Sequence, residues 1–214
     1  MAAKEREVYR IDIDGNWDLE DLYKFPRAYE QVYYAIFSLS TFHDDYTRER
    51  INRAYLTYPW QGGYSAVNFY NHLKYTLPKR ERPTINSLQK ASPGWIELLL
   101  GAASTAYAIK LIVNNVCGSI DRINATYNSI YRGMIDRKLA RIEAEREEAA
   151  AHDHRRFLRE ANAEMADALL ITKEQLDEIN NKTRSELKTL KILLSIYRRV
   201  RVLAEYQIKG KARP

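Results

Sequence analysis

SPGWIELLL GAASTAYAIK LIVNNVCGSI DRINATYNSI YRGM, residues 92–134, is the stretch that decides the fold. Ser92 is a favourable helix N-cap and Pro93 a favourable first helical residue, so the reading starts a helix here. Leu99, Ala102, Ala106, Ile109, Val113, Val116, Ile120, Ile123, Tyr127, Ile130 and Met134 then recur at alternating steps of three and four. Ten unbroken steps are five heptads, and a helix carrying them spans ~54 Å. A repeat sustained this long implies a seam buried against another helix. These residues are the candidate helix-packing and oligomer-forming set.

Towards the C-terminus the seam shifts by one residue near Gly133, onto Ile135, Leu139 and Ile142. Residues 143–159 are mostly Ala and charge, which reads as a solvated helix or a frayed connection. Leu158, Met165 and Leu169 resume a sparse stripe. Thr172 and Gln175 form a capping box, and Ile171 with Leu176 a hydrophobic staple. The stripe that follows is Leu176, Ile179, Thr183, Leu187, Leu190, Leu194, Tyr197, Ala204 and Ile208. The expectation is a long antiparallel helical hairpin with coiled-coil-like heptads over 94–214. Its helices would cover about 94–170, broken near Gly133 and over 143–159, and 173–208.

Towards the N-terminus, Tyr9, Ile11 and Ile13 alternate with Arg10 and Asp12, the period of a half-buried strand. Asp18 is placed as a helix N-cap with Asp21 at the third helical position, and Trp17 with Leu22 as its staple. Pro26 is expected to break or restart that helix. Tyr29, Val32, Tyr33, Ile36 and Leu39 then share a stripe, a polar helix covers Asp44 to about Tyr55, and residues 58–63 form a loop. Helix returns at Ser65 with Val67, Tyr70, Leu73 and Leu77 inward, and a strand covers 84–91. Residues 1–93, with 11 of the 16 tyrosines, form a small α+β head with few strands. The fold class is therefore an α-dominated α+β protein.

Composition limits the function classes. Of 214 residues, 45% are hydrophobic, enough for a real core; eight Gly and six Pro are too few for an all-β sandwich. Cys117 is the one cysteine, which precludes an intrachain disulfide. With a charged N-terminus lacking an apolar run, this suggests a cytoplasmic setting, with peripheral or conditional membrane association as the alternative. The net charge of +6 is uneven: residues 182–214 hold 10 basic and two acidic groups. Such an excess favours an anionic partner, nucleic acid or membrane. Arg198, Arg199, Arg201, Lys209, Lys211 and Arg213 are the candidate contacts. Residues 95–117 have roughly the length of a membrane span, but the uncharged run Leu98 to Ile109 is twelve residues, and charges within spans are costly. A buried helix is the preferred reading.

The sharpest catalytic pattern is Ile11-Asp12-Ile13-Asp14-Gly15-Asn16. A strand ending in Asp-x-Asp-Gly resembles the first motif of haloacid-dehalogenase-type phosphotransferases. The resemblance implies Asp12 as nucleophile and Asp14 as acid/base beside Mg²⁺. That family also needs a run of further strands, and this sequence offers almost none after residue 93. His43-Asp44 resembles the ligand pair of metal-dependent HD phosphohydrolases, but no His precedes His43. His152 and His154 are two apart, on different helix faces. Cys117 lies in an apolar helix and reads as a small hydrophobe. No catalytic residue, metal or cofactor is assigned.

The expected function is that of a non-enzymatic oligomerising or adaptor protein. Trp95, Leu98, Leu100, Tyr107, Leu111 and Ile112 lie off the seam, and this surplus places a homo-oligomer contact at 95–117. The head would recognise a protein partner. Nucleic-acid or anionic-membrane binding through the basic helix is the alternative, and phosphotransfer at Asp12 and Asp14 a distant third.

Overall fold

The computed structural model describes residues 6–40, 43–57, 63–143 and 148–214, with side chains from 67 to 137 and from 152 onward in the latter two stretches. Residues 1–5 of the charged N-terminus and residues 58–62 of the loop expected at 58–63 lie outside the described residues, and Gly63 is already helical. The chain is helix-dominated, with eight α-helices and one four-stranded antiparallel sheet among the described residues. In order it runs β1 (Glu7–Ile13), α1 (Leu19–Phe37), α2 (Asp45–Thr57), α3 (Gly63–Thr76), β2 (Thr84–Gln89), β3 (Gly94–Leu100), α4 (Ala103–Gly118), α5 (Ile120–Glu143), α6 (Glu148–Ala168), α7 (Lys173–Thr183), α8 (Glu186–Ile208) and β4 (Ala212–Arg213).

The opening stretch holds the main correction. Residues 94–100 are a strand, and Ser92-Pro93 lies in the β2–β3 hairpin turn. Gly94, Ile96, Leu98 and Leu100 are buried and Trp95, Glu97 and Leu99 half-buried, a period of two. Leu99 fell on the heptad phase by coincidence. Gly94 is demanded by the turn: a Cβ there would stand 2.4 Å from the Gln89 carbonyl oxygen. The boundary expected at residue 93 therefore runs through the sheet, whose order is β2-β3-β1-β4.

The long helix also divides. α4 ends at Gly118, and Ser119, at φ −137° and ψ 24°, turns the chain into α5. The stripe survives the bend. Ala106, Ile109, Val113, Val116, Ile123 and Ile130 are buried, while Ala102, Ile120, Tyr127 and Met134 pack partly buried against the same core. Gly133 does not break α5. It lets Phe157 of α6 approach, where a Cβ would meet the ring at 3.0 Å, and the Arg137 guanidinium lies 3.9 Å above that ring. The Ala- and charge-rich segment is helix α6 from Glu148, buried through Leu158, Ala161 and Met165, with buried Leu169 just past its end; residues 144–147 lie outside the described residues.

The second long helix is two. Arg184 takes the left-handed conformation, φ 52°, and the Ser185 hydroxyl caps α8 by accepting the Lys188 backbone N–H. α8 is the central helix, packed by α1, α4 and α6. It buries Leu190, Ile192 to Tyr197, Val200, Leu203, Ala204 and Tyr206, more than one stripe holds. In the head, Asp18 and Asp21 make the expected capping box. α1 passes through Pro26, however; the bond lost is to the carbonyl of Leu22, a residue that is 36% exposed and open to water. Trp17, Phe25 and Tyr206 form an aromatic cluster with centroids 5.3–5.5 Å apart, closing the end of α8 over β4.

Candidate interaction surface

The sheet has one covered face. Ile11, Ile13, Ile96, Leu98 and Leu100 point into the core, on which α4 packs. Among the described residues no element packs on the other face. Register places Val8 beside Leu99 and Thr84, Arg10 beside Glu97 and Ser87, and Asp12 beside Trp95 and Gln89. Val8 is 59% exposed, and the Arg10 guanidinium lies 4.2 Å above the Trp95 ring.

The two edges differ. β4 covers the free side of β1 at Asp12 and Ile13. Among the described residues β2 has one neighbour, β3, and all six of its residues are exposed. An edge strand presents unpaired N–H and C=O groups, which proteins usually guard with charge, Pro or a β-bulge. Of these, Thr84-Ile85-Asn86-Ser87-Leu88-Gln89 has neither charge nor Pro. A β-bulge between Ile85 and Ser87 shifts the register. It sets both Ile85, opposite Leu98, and Leu88, opposite Ile96, on the inner face, yet they are 56% and 46% exposed. β2 therefore overhangs the helical layer.

A smaller apolar area lies on α4, where Tyr107 and Leu111 are exposed; Leu111 and the exposed Leu170 line a 110 Å³ cavity together with Ile36, Leu39 and Ile112. The surplus expected at 95–117 has mostly been absorbed. Leu98, Leu100 and Ile112 are buried, and Trp95 is shielded by Arg10.

A polar cleft runs between α2 and α7. Two adjoining cavities, 210 and 450 Å³, share Arg48, Glu178 and Lys182. The Lys182 ammonium is already engaged, 2.7 Å from Glu178 Oε1 and 5.3 Å above the Tyr55 ring. Arg48 pairs with Asp45 at 2.9 Å and donates to the His43 carbonyl oxygen. His43 Nε2 is 2.8 Å from the Phe37 carbonyl oxygen.

Comparison with known protein families, curated proteins and solved structures gave no match.

The candidate cations do not form one surface. Arg199 is half-buried and engaged by its own chain: Nε donates to Gln31 Oε1 at 2.9 Å, Nη1 to the Ser195 carbonyl oxygen at 3.1 Å, and the guanidinium sits 4.8 Å above the Tyr70 ring. Burial pulls its pKa below the ordinary guanidinium value. Arg201 pairs with Glu205 at 3.5 Å. Lys211 pairs with Asp21 at 2.7 Å, and Tyr206 donates to the same carboxylate at 2.7 Å. Burial alone would raise the Asp21 pKa, but these hydrogen bonds and the Asp18 backbone hold it down at about 2. Arg198, Lys209 and Arg213 remain exposed, strung from mid-α8 to β4.

Asp12 and Asp14 do not converge on a phosphate site. Asp12 is on the open face, paired with Arg10 at 3.1 Å. Asp14 accepts from the Gly15 N–H and the Ser92 hydroxyl, which lower its pKa. The antiparallel sheet also lacks the strand run the resemblance requires. Asp44 caps α2, its carboxylate accepting the Thr47 N–H at 2.7 Å. Among the described residues no cluster of three His, Cys, Asp or Glu could hold a metal, and no helix is long and apolar enough to cross a membrane. Cys117 is half-buried, with burial raising its thiol pKa.

Sequence reasoning missed the edge strand's importance. Its signal was present: a charge-free, Pro-free TINSLQ between Pro83 and Lys90.

Proposed function

We propose that this chain is a non-enzymatic association module, in which a helical body carries an open sheet for pairing with a protein surface. The observation that supports it is the β2 edge: six exposed, uncharged residues with Ile85 and Leu88 projecting beyond the helices. Backbone groups along such an edge supply affinity, and alternate side chains supply specificity. The bare outer face beside it, with Val8, Leu99 and the Arg10–Trp95 stack, extends the same surface. The helical layer holds the strand in place, because β2 pairs with β3 and β3 buries alternate residues under the helices.

The experiment is the mass of the full chain against concentration, by sedimentation velocity. Mass is expected to rise above 25.0 kDa in the micromolar range. A species that stays at 25.0 kDa up to hundreds of micromolar overturns the self-associating form of this reading.

A further inference from the structure

We infer that the occupant of the β2 edge is a second copy of this chain, paired antiparallel about a two-fold axis between Asn86 and Ser87. The inference rests on the association reading above and names its partner and register. The bulge makes the strand self-complementary. Without it, Ile85 and Leu88, three residues apart, would point to opposite faces. With it, both face inward. Thr84, Ser87 and Gln89 stand beside the outward Leu99, Glu97 and Trp95, and Asn86 reaches the outward Glu97 carboxylate. The facing along the strand is out, in, out, out, in, out, which reads the same in both directions. Polarity follows the same palindrome.

Opposite residues in a strand pair share a face. A two-fold at 86/87 therefore sets Ile85 against Leu88 of the other copy, Thr84 against Gln89, and Asn86 against Ser87. Each apolar residue meets an apolar one on the inner face, and each polar residue a polar one outside. No other antiparallel register centred within the strand matches both inward residues. The two sheets become one continuous eight-stranded antiparallel sheet with order β4-β1-β3-β2 mirrored across the axis.

The strand itself carries no charge, and the cations that bracket it are turned back onto their own chain. Arg82 donates to the Leu77 carbonyl oxygen through Nε and Nη2 at 3.1 and 2.9 Å, and Lys90 reaches the Trp17 carbonyl oxygen at 3.4 Å. A six-residue strand is about 20 Å long, a contact at the small end of specific interfaces, so dimerisation is expected at roughly tens of micromolar.

The test compares two double variants of the full chain with the wild type by sedimentation velocity. Both positions are exposed, so unchanged circular dichroism spectra are expected. Ile85→Lys with Leu88→Lys sets like charges opposite each other twice, and is expected to remain monomeric. Ile85→Lys with Leu88→Glu sets Lys against Glu twice, and is expected to dimerise within about tenfold of the wild type and to weaken with salt. If the wild type associates and both variants are monomeric, the contact is apolar but not in this register, and the inference falls while the association reading stands. If both variants associate like the wild type, the contact lies elsewhere, as on the Tyr107 and Leu111 face, and the inference falls. A monomeric wild type removes the inference and the self-associating form of the association reading.

Discussion

Arg199→Ala separates a structural cation from a surface cation. The sequence put Arg199 among six candidate contacts for an anionic partner. In the structure its guanidinium donates to Gln31 Oε1 and to the Ser195 carbonyl oxygen and lies over Tyr70. Truncation removes a charge-assisted hydrogen bond, ~1.5–3 kcal/mol, and leaves the buried Gln31 acceptor unmatched. It also removes a cation–π contact of ~0.5–2 kcal/mol and the packing of the aliphatic stem. These terms overlap, so the net loss expected is about 3 kcal/mol. For a chain of this size that lowers Tm by roughly 6–12 °C. Arg198→Ala, one residue away and exposed, is expected within about 0.5 kcal/mol of wild type. The assay is paired urea and thermal unfolding of the two variants. An Arg199→Ala protein as stable as wild type, or an Arg198→Ala protein losing as much, refutes the burial of Arg199 as described and returns the basic segment of α8 to the surface.

Three further outcomes follow from the packing. Gly101→Ala would put a Cβ 2.6 Å from the Glu81 Cα and is expected to cost about 1–3 kcal/mol, whereas Gly118→Ala meets nothing within 4 Å and should change stability by less than about 1 kcal/mol; equal melting temperatures for the two would contradict this. Ile123→Asp places a charge at a site 4% exposed and is expected to destabilise by several kcal/mol, measurable as a shifted urea midpoint. Asp21, held at about 2, lies below its unfolded value of ~3.9, so it contributes stability above pH 4 that is lost as pH falls towards 2; after solvent screening this is about 1–2 kcal/mol, and Asp21→Asn should abolish that part of the acid dependence of unfolding.

The elements whose signal is local were legible: β1 from its alternation, α1 from the Asp18–Asp21 capping box, α7 from Thr172 and Gln175. Burial along the heptad stripe was legible too, since Ile109, Val113, Val116, Ile123 and Ile130 lie in the core. Connectivity between elements was not. Ser92-Pro93-Gly94 serves both a helix start and a turn, and Leu99 fits both periods, so β3 was absorbed into a helix. Ser119 and Arg184 bend their helices without Pro or Gly at the turn itself. The role of α8 was hidden because its cations suggested a solvated face, while tertiary packing puts α1, α4 and α6 around it. The exposed β2 edge depends on which strands sit beside it, and hence on the whole sheet.

The most direct measurement is amide hydrogen exchange of the full chain at low and high micromolar concentration. Residues 84–89 are exposed along a strand with one neighbour. If a second copy pairs here, amides in this segment gain protection as concentration rises, while those of α4 (Ala103–Gly118) exchange at an unchanged rate. Exchange of 84–89 that is independent of concentration, or protection that appears on α4 instead, contradicts that pairing.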